Sequence, residues 1–401
     1  MRRTQSVRTA LALAIACVAL QLSNSVSAQA PADSSPAQDA SLSAAASAPE
    51  TAASSVSSAP KAAPGDKKTA WLDPATAPAE ILTLNHVEKS LLLDGTNARD
   101  RAVVVGDRGH ILVSESRREW RQVPVPTRTM LTAVYAVDND VWAVGHDQVI
   151  IHSADGGLTW TLQNSNIQSE GPLLDVLFLD PQRGFAVGAY GQFLSTSDGG
   201  ASWNAEVISD RMSDAPAAKP ADVAAPSADD ESEIEDDSGL ASTDVGEDEG
   251  DPHLNGLVRN DMGLLIVGEA GSAYRSNDEG ASWERADLPY EGSMFGAVAL
   301  DNGQIIAYGL RGNAFSTADL GRSWQTLTSG TEATILGGAA VPGGRAVLVG
   351  ASGTILLAPA GSTQLRVLNF ADGGVMSSVL PLGEAEFLVM GENGIATYQP
   401  N

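Results

Sequence analysis

The chain has 401 residues, with 24 Lys+Arg against 50 Asp+Glu and a formal net charge of −26. So acidic a chain repels nucleic acid and anionic lipid, which excludes both as principal partners. Its one cysteine, Cys17, sits in an N-terminal apolar run, so loss of that run leaves no disulfide, thiolate or cysteine–metal chemistry.

Arg2, Arg3 and Arg8 precede an apolar stretch from Ala10 to Leu20, and a polar stretch then ends in Val26-Ser27-Ala28. A positive start, a short apolar run and small residues before a cut predict a signal peptide over residues 1–28. The run is too short for a stable transmembrane helix. Twin-arginine export is disfavoured because no Phe-Leu-Lys follows Arg2-Arg3, and lipidation because apolar residues continue beyond Cys17. Cleavage after Ala28 leaves 21 Lys+Arg against 50 Asp+Glu, a net charge of about −29. No later segment is long and apolar enough to enter a membrane directly. The expectation is a soluble monomer in the periplasm. Residues 29–79, rich in Ala, Ser and Pro, read as a disordered linker, with the folded part spanning 80–401.

From there an apolar run ending in Gly-x-x-Gly recurs, at Gly106/Gly109, Gly188/Gly191, Gly268/Gly271, Gly309/Gly312, Gly350/Gly353 and Gly391/Gly394. A further copy at Gly145 has Gln148 in place of the second glycine. The last three steps are each 41 residues, but the step from Gly188 to Gly268 is 80. Its surplus lies in Ser209 to Asp251, which carries 15 Asp+Glu against Arg211 and Lys219. That composition predicts a disordered acidic insertion, residues 209–252, rather than a missing repeat.

Within one period, "LLDVLFLD", "FAVGAYG", "QFLSTS" and "WNAEV" read as four short strands separated by turn residues. Four strands per repeat of about 41 residues predict an all-β, seven-bladed β-propeller with four-stranded blades. The last repeat has room for only three strands, about Val375–Leu380, Glu386–Met390 and Ile395–Tyr398. Residues Glu80 to Leu84, "EILTL", are therefore expected to close the ring by pairing with the last blade.

A second motif follows the third strand. It runs Ser153-x-Asp155-x-Gly157-x-Thr159-Trp160, then Thr196, Asp198, Gly200 and Trp203 in the next repeat. It returns as Ser276, Asp278, Gly280 and Trp283, and as Thr317, Asp319, Gly321 and Trp324. The segment Ser114 to Trp120 is a degraded copy. This is the Asp-box, or BNR repeat. A row of aspartates invites a catalytic or metal reading, yet each carboxylate has a local task in bonding its own turn, and each Trp in sealing a blade. The boxes are expected to be structural, with no catalytic residue, no metal and no cofactor. His110, His146 and His152 lack the spacing of a zinc site.

Asp-boxes joined to an apolar strand ending in Gly-x-x-Gly, as in "GFAVGAYGQFLSTSDGGASW", resemble the photosystem II stability/assembly factors of cyanobacteria and chloroplasts. The resemblance covers Glu80 to Asn401 apart from the insertion. It implies a non-enzymatic propeller that binds a membrane protein, or a subunit of a membrane complex, during assembly. Relatives in non-photosynthetic proteobacteria are exported and associated with resistance-nodulation-division exporters, which makes an exported proteobacterial member the expectation. The arginine patch used by photosynthetic members has no residue-by-residue match here. The alternative is a sialidase-like glycosidase, or a carbohydrate-binding propeller, since sialidases also carry Asp-boxes. The Phe-Arg-Ile-Pro motif of that family is absent.

The Gly-x-x-Gly turns join second and third strands, so they lie opposite the Asp-boxes. The connections between blades, the insertion included, share that side. Partner-binding candidates displayed there are Asp107, Arg108, His146, Tyr190, Glu269, Arg311 and Asn393.

Overall fold

A computed structural model describes residues 73–169, 171–212, 251–370, 374–383 and 385–400. The expected signal peptide, residues 29–72 of the expected linker and residues 213–250 of the expected insertion lie outside the described residues.

The first blade is β1 (Leu92–Ala98), β2 (Arg101–Gly106), β3 (Ile111–Ser114) and β4 (Arg121–Gln122). The second is β5 (Leu131–Val137), β6 (Asp140–Gly145), β7 (Ile150–Ser153) and β8 (Thr161–Asn164). The third is β9 (Leu173–Phe178), β10 (Gly184–Gly188), β11 (Gln192–Thr196) and β12 (Asn204–Val207). The fourth holds β13 (Leu254–Asn260), β14 (Gly263–Gly268), β15 (Ala273–Ser276) and β16 (Glu284–Arg285). The fifth holds β17 (Met294–Ala299), β18 (Ile305–Gly309), β19 (Ala314–Thr317) and β20 (Gln325–Leu327). The sixth holds β21 (Ile335–Val341), β22 (Arg345–Gly350), β23 (Thr354–Ala358) and β24 (Arg366–Asn369). The seventh is β25 (Met376–Pro381), β26 (Phe387–Gly391) and β27 (Gly394–Tyr398). Every sheet is antiparallel with consecutive strands paired, so the seven-bladed propeller expected from the repeat is what forms.

The second strands explain the unbroken apolar runs of the sequence. All five residues of β10, β18 and β26 are buried. A central strand faces a neighbouring blade on each side, so neither of its faces meets water and alternation disappears. Cores form at the seams between blades: Val103, Val113 and Val123 of the first pack with Leu131, Ile151 and Trp160 of the second. Trp283 is fully buried between the third and fourth, against Phe193 and Leu177. Burial of one such side chain is worth roughly 1.5–3 kcal/mol.

Closure of the ring differs from the expectation. Six blades have four strands, while the seventh has three among the described residues. Residues 80–83 form no strand, and Leu84–Val87 is a single helical turn, α1. This segment runs beside the first blade instead: the Leu82 N–H donates to Gln122 Oε1 (2.9 Å), and Gln122 Nε2 donates to the Glu80 carbonyl (2.8 Å). Val87 then packs into the seam where Leu92 and Leu112 meet Leu388 and Met390. The Gln122 side chain makes the bonds that a paired backbone would otherwise take, so the segment is held without entering a sheet.

The domain boundaries also shift. The fold begins by Asp73, not Glu80: Ala75 and Ala77 are buried, and Ala79 N–H donates to the Val125 carbonyl at 3.0 Å. On the other side, residues 209–212 belong to the propeller, since the Trp283 N–H donates to the Arg211 carbonyl at 3.0 Å.

Candidate functional site

The Asp-box is a closed set of bonds. The Asp155 carboxylate accepts from Ser153 Oγ (2.7 Å), Thr159 Oγ1 (2.7 Å) and the N–H groups of Leu158 (3.0 Å) and Thr159 (2.9 Å). Ser153 Oγ in turn accepts from the Gly157 N–H, at 2.8 Å. Gly156 and Gly157 supply the positive φ values of 72° and 86° that turn the chain. The same clasp recurs at Asp198 with Thr196, Gly200 and Ser202, at Asp278 with Ser276, Gly280 and Ser282, and at Asp319 with Thr317, Gly321 and Ser323. Partial burial works against ionisation of Asp155, but the bonds from Thr159, Ser153 and Leu158 outweigh it and bring the pKa to about 2. At Asp198 the bonds from the Ser202 hydroxyl and N–H lead, and the value is again about 2. Carboxylates so strongly ionised have no proton to give as general acids. Trp160 donates from Nε1 to the Gly157 carbonyl (3.0 Å), tying the box to the seam it seals, while Trp203 and Trp324 are half-buried at their own seams.

On the opposite face, the turns of the first six blades are type I′, while in the seventh Gly391 pairs directly with Gly394, whose φ of 81° is the one positive value there. In the first, Arg108 and Gly109 have φ of 54° and 71°, and the His110 N–H donates to the Asp107 carbonyl at 3.0 Å. Both glycines are required by close backbone approach: a Cβ on Gly106 would strike the Leu91 carbonyl oxygen and one on Gly109 the Thr127 carbonyl oxygen, and Gly109 also supplies a positive φ. At the exceptional turn, Gln148 takes φ 48° and donates to Gln192 Oε1 of the third blade at 2.8 Å, a contact glycine cannot make.

The structure places the sequence-selected residues of this face as follows. Arg108, Tyr190, Arg311 and Asn393 are exposed at four different blades, whereas Asp107, His146 and Glu269 are half-buried. Asp107 lies 3.5 Å from Arg108 Nε in its own turn. Burial lowers the His146 pKa, and its Nε2 is buried without a partner among the described residues. Tyr190 and Glu269 are brought together by a residue that sequence reasoning missed, His253. The Tyr190 ring lies 4.8 Å from the His253 ring, and His253 Nε2 is 3.4 Å from Glu269 Oε2. The insertion leaves the third blade and re-enters at Asp251, beside this cluster; the Gly191 N–H donates to the Pro252 carbonyl at 3.0 Å.

Sequence reasoning found the innermost strands but missed what they carry. Each carries a β-bulge at its second residue, seen in the register shifts between Leu92 and Asp94 and between Leu131 and Ala133. The bulged side chains reach across seams: Thr132 Oγ1 to the Leu173 carbonyl (2.7 Å), Asn255 Nδ2 to Met294 (2.9 Å) and Ser377 Oγ to Leu92 (2.9 Å). At two of the bulges, Leu93 and Leu174, the next residue is an aspartate. Asp94 Oδ2 accepts from the Val134 N–H (2.9 Å), and Asp175 Oδ2 from the Leu257 N–H (2.7 Å). Burial raises the pKa of Asp94 to about 6 and of Asp175 to about 7 against the opposing pull of these bonds. Burial and both carboxylates raise Tyr308 above the usual phenol range. The column was visible in the repeat as small residues, Ala133, Gly256, Gly296, Gly337 and Ser378, with two acids among them.

Of the three histidines, His110 faces Ser90 Oγ (3.2 Å) and His152 faces Asp140 Oδ1 (2.9 Å), while His146 shares neither partner. Among the described residues no group of three metal-ligating side chains converges, and no helix is long and apolar enough to cross a membrane.

No protein-family model matches the chain. The photosystem II assembly protein Ycf48 of Synechococcus sp. (strain JA-3-3Ab) is 35% identical over 80 residues, 19% of this chain and 24% of that protein. The aligned part thus spans about a quarter of the curated relative's length. A solved structure of YCF48 bound to D1 peptide superposes with a TM-score of 0.57 at 15% identity, covering 82% of this chain and all of that one. Virginiamycin B lyase from Staphylococcus aureus superposes with a TM-score of 0.60 at 9% identity, covering 80% and 99%. The fold is common to all three, and the chain is a β-propeller similar to the photosystem II assembly proteins.

Proposed function

We propose that the propeller is a non-enzymatic scaffold that binds a segment of a membrane protein during assembly of a membrane complex. The observation that carries this reading is the contrast between its faces. Box carboxylates are consumed by their own turns, while the opposite face holds Arg108, Tyr190, Arg311 and Asn393 exposed on turns of fixed geometry. Similarity to Ycf48, one structure of which carries a D1 peptide, supports the kind of partner. In the finer form of the proposal the protein is an exported monomer, delivered by residues 1–28, and its partner is an exporter of the resistance-nodulation-division type.

The test is site-specific photo-cross-linking of the full chain in native membranes. A cross-linker at Tyr190 or Arg311 should yield an adduct with an integral membrane protein, and one at Ala154 on the box face should not. Equal labelling from both faces, or turnover of a fluorogenic sialoside without any adduct, would sink the scaffold reading.

A further inference from the structure

The third strands of six blades are covered, and that of the seventh is not. β3 and β19 are buried at every residue, β7, β15 and β23 at all but one, and β11 at three of five with none exposed. In β27 only Gly394 is buried, and Thr397 is exposed. The cause is the outer strand. In six blades an outer strand follows directly on a large apolar residue: Trp120, Trp160, Trp203, Trp283, Trp324 or Leu365. The seventh blade has no such strand among the described residues.

The seam records the difference. Between the first and second blades, where Trp160 completes the cluster, Val113 and Val123 are 1% exposed and Ile151 0%. Their counterparts by strand pairing between the sixth and seventh blades are Leu357, Leu368 and Ala396, all half-buried. The backbone edge is occupied at its start, where the Ile395 N–H donates outward to the Glu88 carbonyl at 2.9 Å, and open beyond it, where Thr397 two residues on presents its polar groups to the same side by the period of a strand. An unpaired edge beside an uncovered apolar floor is the geometry of strand addition.

We propose that the edge of β27 takes a short extended segment of a partner protein as the fourth strand of the seventh blade. A large apolar side chain, best a tryptophan, seats over Leu357, Leu368 and Ala396. Six internal copies of this arrangement define the occupant: two to four paired residues headed by Trp or Leu. The chain's net charge of −26 favours a partner segment that is neutral or basic. The site is distinct from the Gly-x-x-Gly face, so it goes beyond the function proposed above, and either can fail without the other.

The probe is a fluorescent peptide with the sequence of Gly157 to Asn164, GLTWTLQN, which is uncharged, titrated into the full chain and followed by anisotropy. Saturable binding is expected. A peptide with alanine for tryptophan, and one N-methylated at alternate amides, should each bind at least about tenfold more weakly. Thr397→Pro in the protein should weaken binding to the same degree; if that variant does not fold, the two altered peptides still decide. Equal binding of the N-methylated peptide reduces the effect to apolar adhesion and overturns the proposal, as does the absence of saturable binding. A photo-cross-linker at Thr397 in the full chain without peptide supplies the last arm. An adduct with the chain's own residues 29–72, or with a second copy, assigns the edge to that occupant and overturns the partner reading.

Discussion

Ser378 Oγ donates to Asp94 Oδ1 at 2.9 Å, joining residues 284 apart in sequence across the seam between the seventh and first blades. The other Asp94 oxygen accepts from Val134 of the second blade, so one carboxylate links three blades. With Ser377 bonded to the Leu92 carbonyl, the ring is closed by side chains of its innermost strands. This relieves the seventh blade of the need for an N-terminal outer strand, and it places a titratable group at the closure.

Stability should fall as pH rises to neutrality. Burial holds Asp94 at about 6 and Asp175 at about 7 in the folded state, against an ordinary value of 3.8. Between pH 4 and 7 the unfolded chain therefore binds fewer protons than the folded one, and the contribution present below pH 4 is lost as pH rises through 6 and 7. Carboxyls held that far above their ordinary value correspond to roughly 3–4 kcal/mol at each buried site. The box aspartates act in the opposite sense: at about 2, Asp155 contributes stability above pH 4 that is lost on acidification. Melting temperature should be highest near pH 4, fall as pH rises to 7 and level off by pH 8, and Asp94→Asn with Asp175→Asn should flatten that decline. A melting temperature that climbs from pH 5 to pH 8 contradicts this.

Asp155→Ala should destabilise the protein by about 1–2 kcal/mol, because it strips a partner from two backbone N–H groups and two hydroxyls of one turn. Asp155→Asn should cost less, since an amide oxygen still accepts. Chemical denaturation measures both. Partner capture should be unchanged in the folded variants, and a loss of capture at native stability would return a functional role to the box.

The fold was legible because its elements repeat. Seven apolar runs, each followed by a turn with φ > 0, leave little choice of architecture, and the three strands foreseen for the last blade match β25, β26 and β27 within about two residues. The closure was not legible, because hydrophobic pattern reports burial and not pairing. Leu82 and Val87 are as apolar as strand residues, yet the Gln122 side chain takes the bonds that would have made 80–82 a strand. At the site, Arg108, Tyr190 and Arg311 were readable as turn tips, since that follows from position in the repeat. His253 and the two inner aspartates needed contacts between blades, which sequence spacing within one blade does not contain.

N-terminal deletions should act in two steps. Removing residues through 79 takes away buried Ala75 and Ala77 and the backbone bonds at Pro74 and Ala79, a loss of about 1–2 kcal/mol. Removing residues through 90 also strips Leu82 and Val87 from the seam between the seventh and first blades, a further loss of about 3 kcal/mol. Denaturation midpoints of the two truncated proteins check the order. Equal midpoints would show that the segment does not brace the seam.

The two faces should separate on substitution. Tyr190→Ala removes a ring that is 41% exposed and leaves beneath it His253, which is 5% exposed and stays beside Glu269, so the fold should lose little stability. Arg311→Glu reverses a charge on an exposed turn tip whose φ of 55° is set by the backbone bonds of its turn, and should be equally silent in melting. If this face binds the partner, each change should weaken capture about tenfold or more, as expected for an aromatic or arginine anchor. Two-state melting and quantitative pull-down on the same protein samples distinguish the outcomes. Loss of capture with an unchanged melting temperature locates the interface on the Gly-x-x-Gly side. Unchanged capture in the double variant removes Tyr190 and Arg311 from it and moves the search to Arg108 and Asn393, which sit on other blades of the same face.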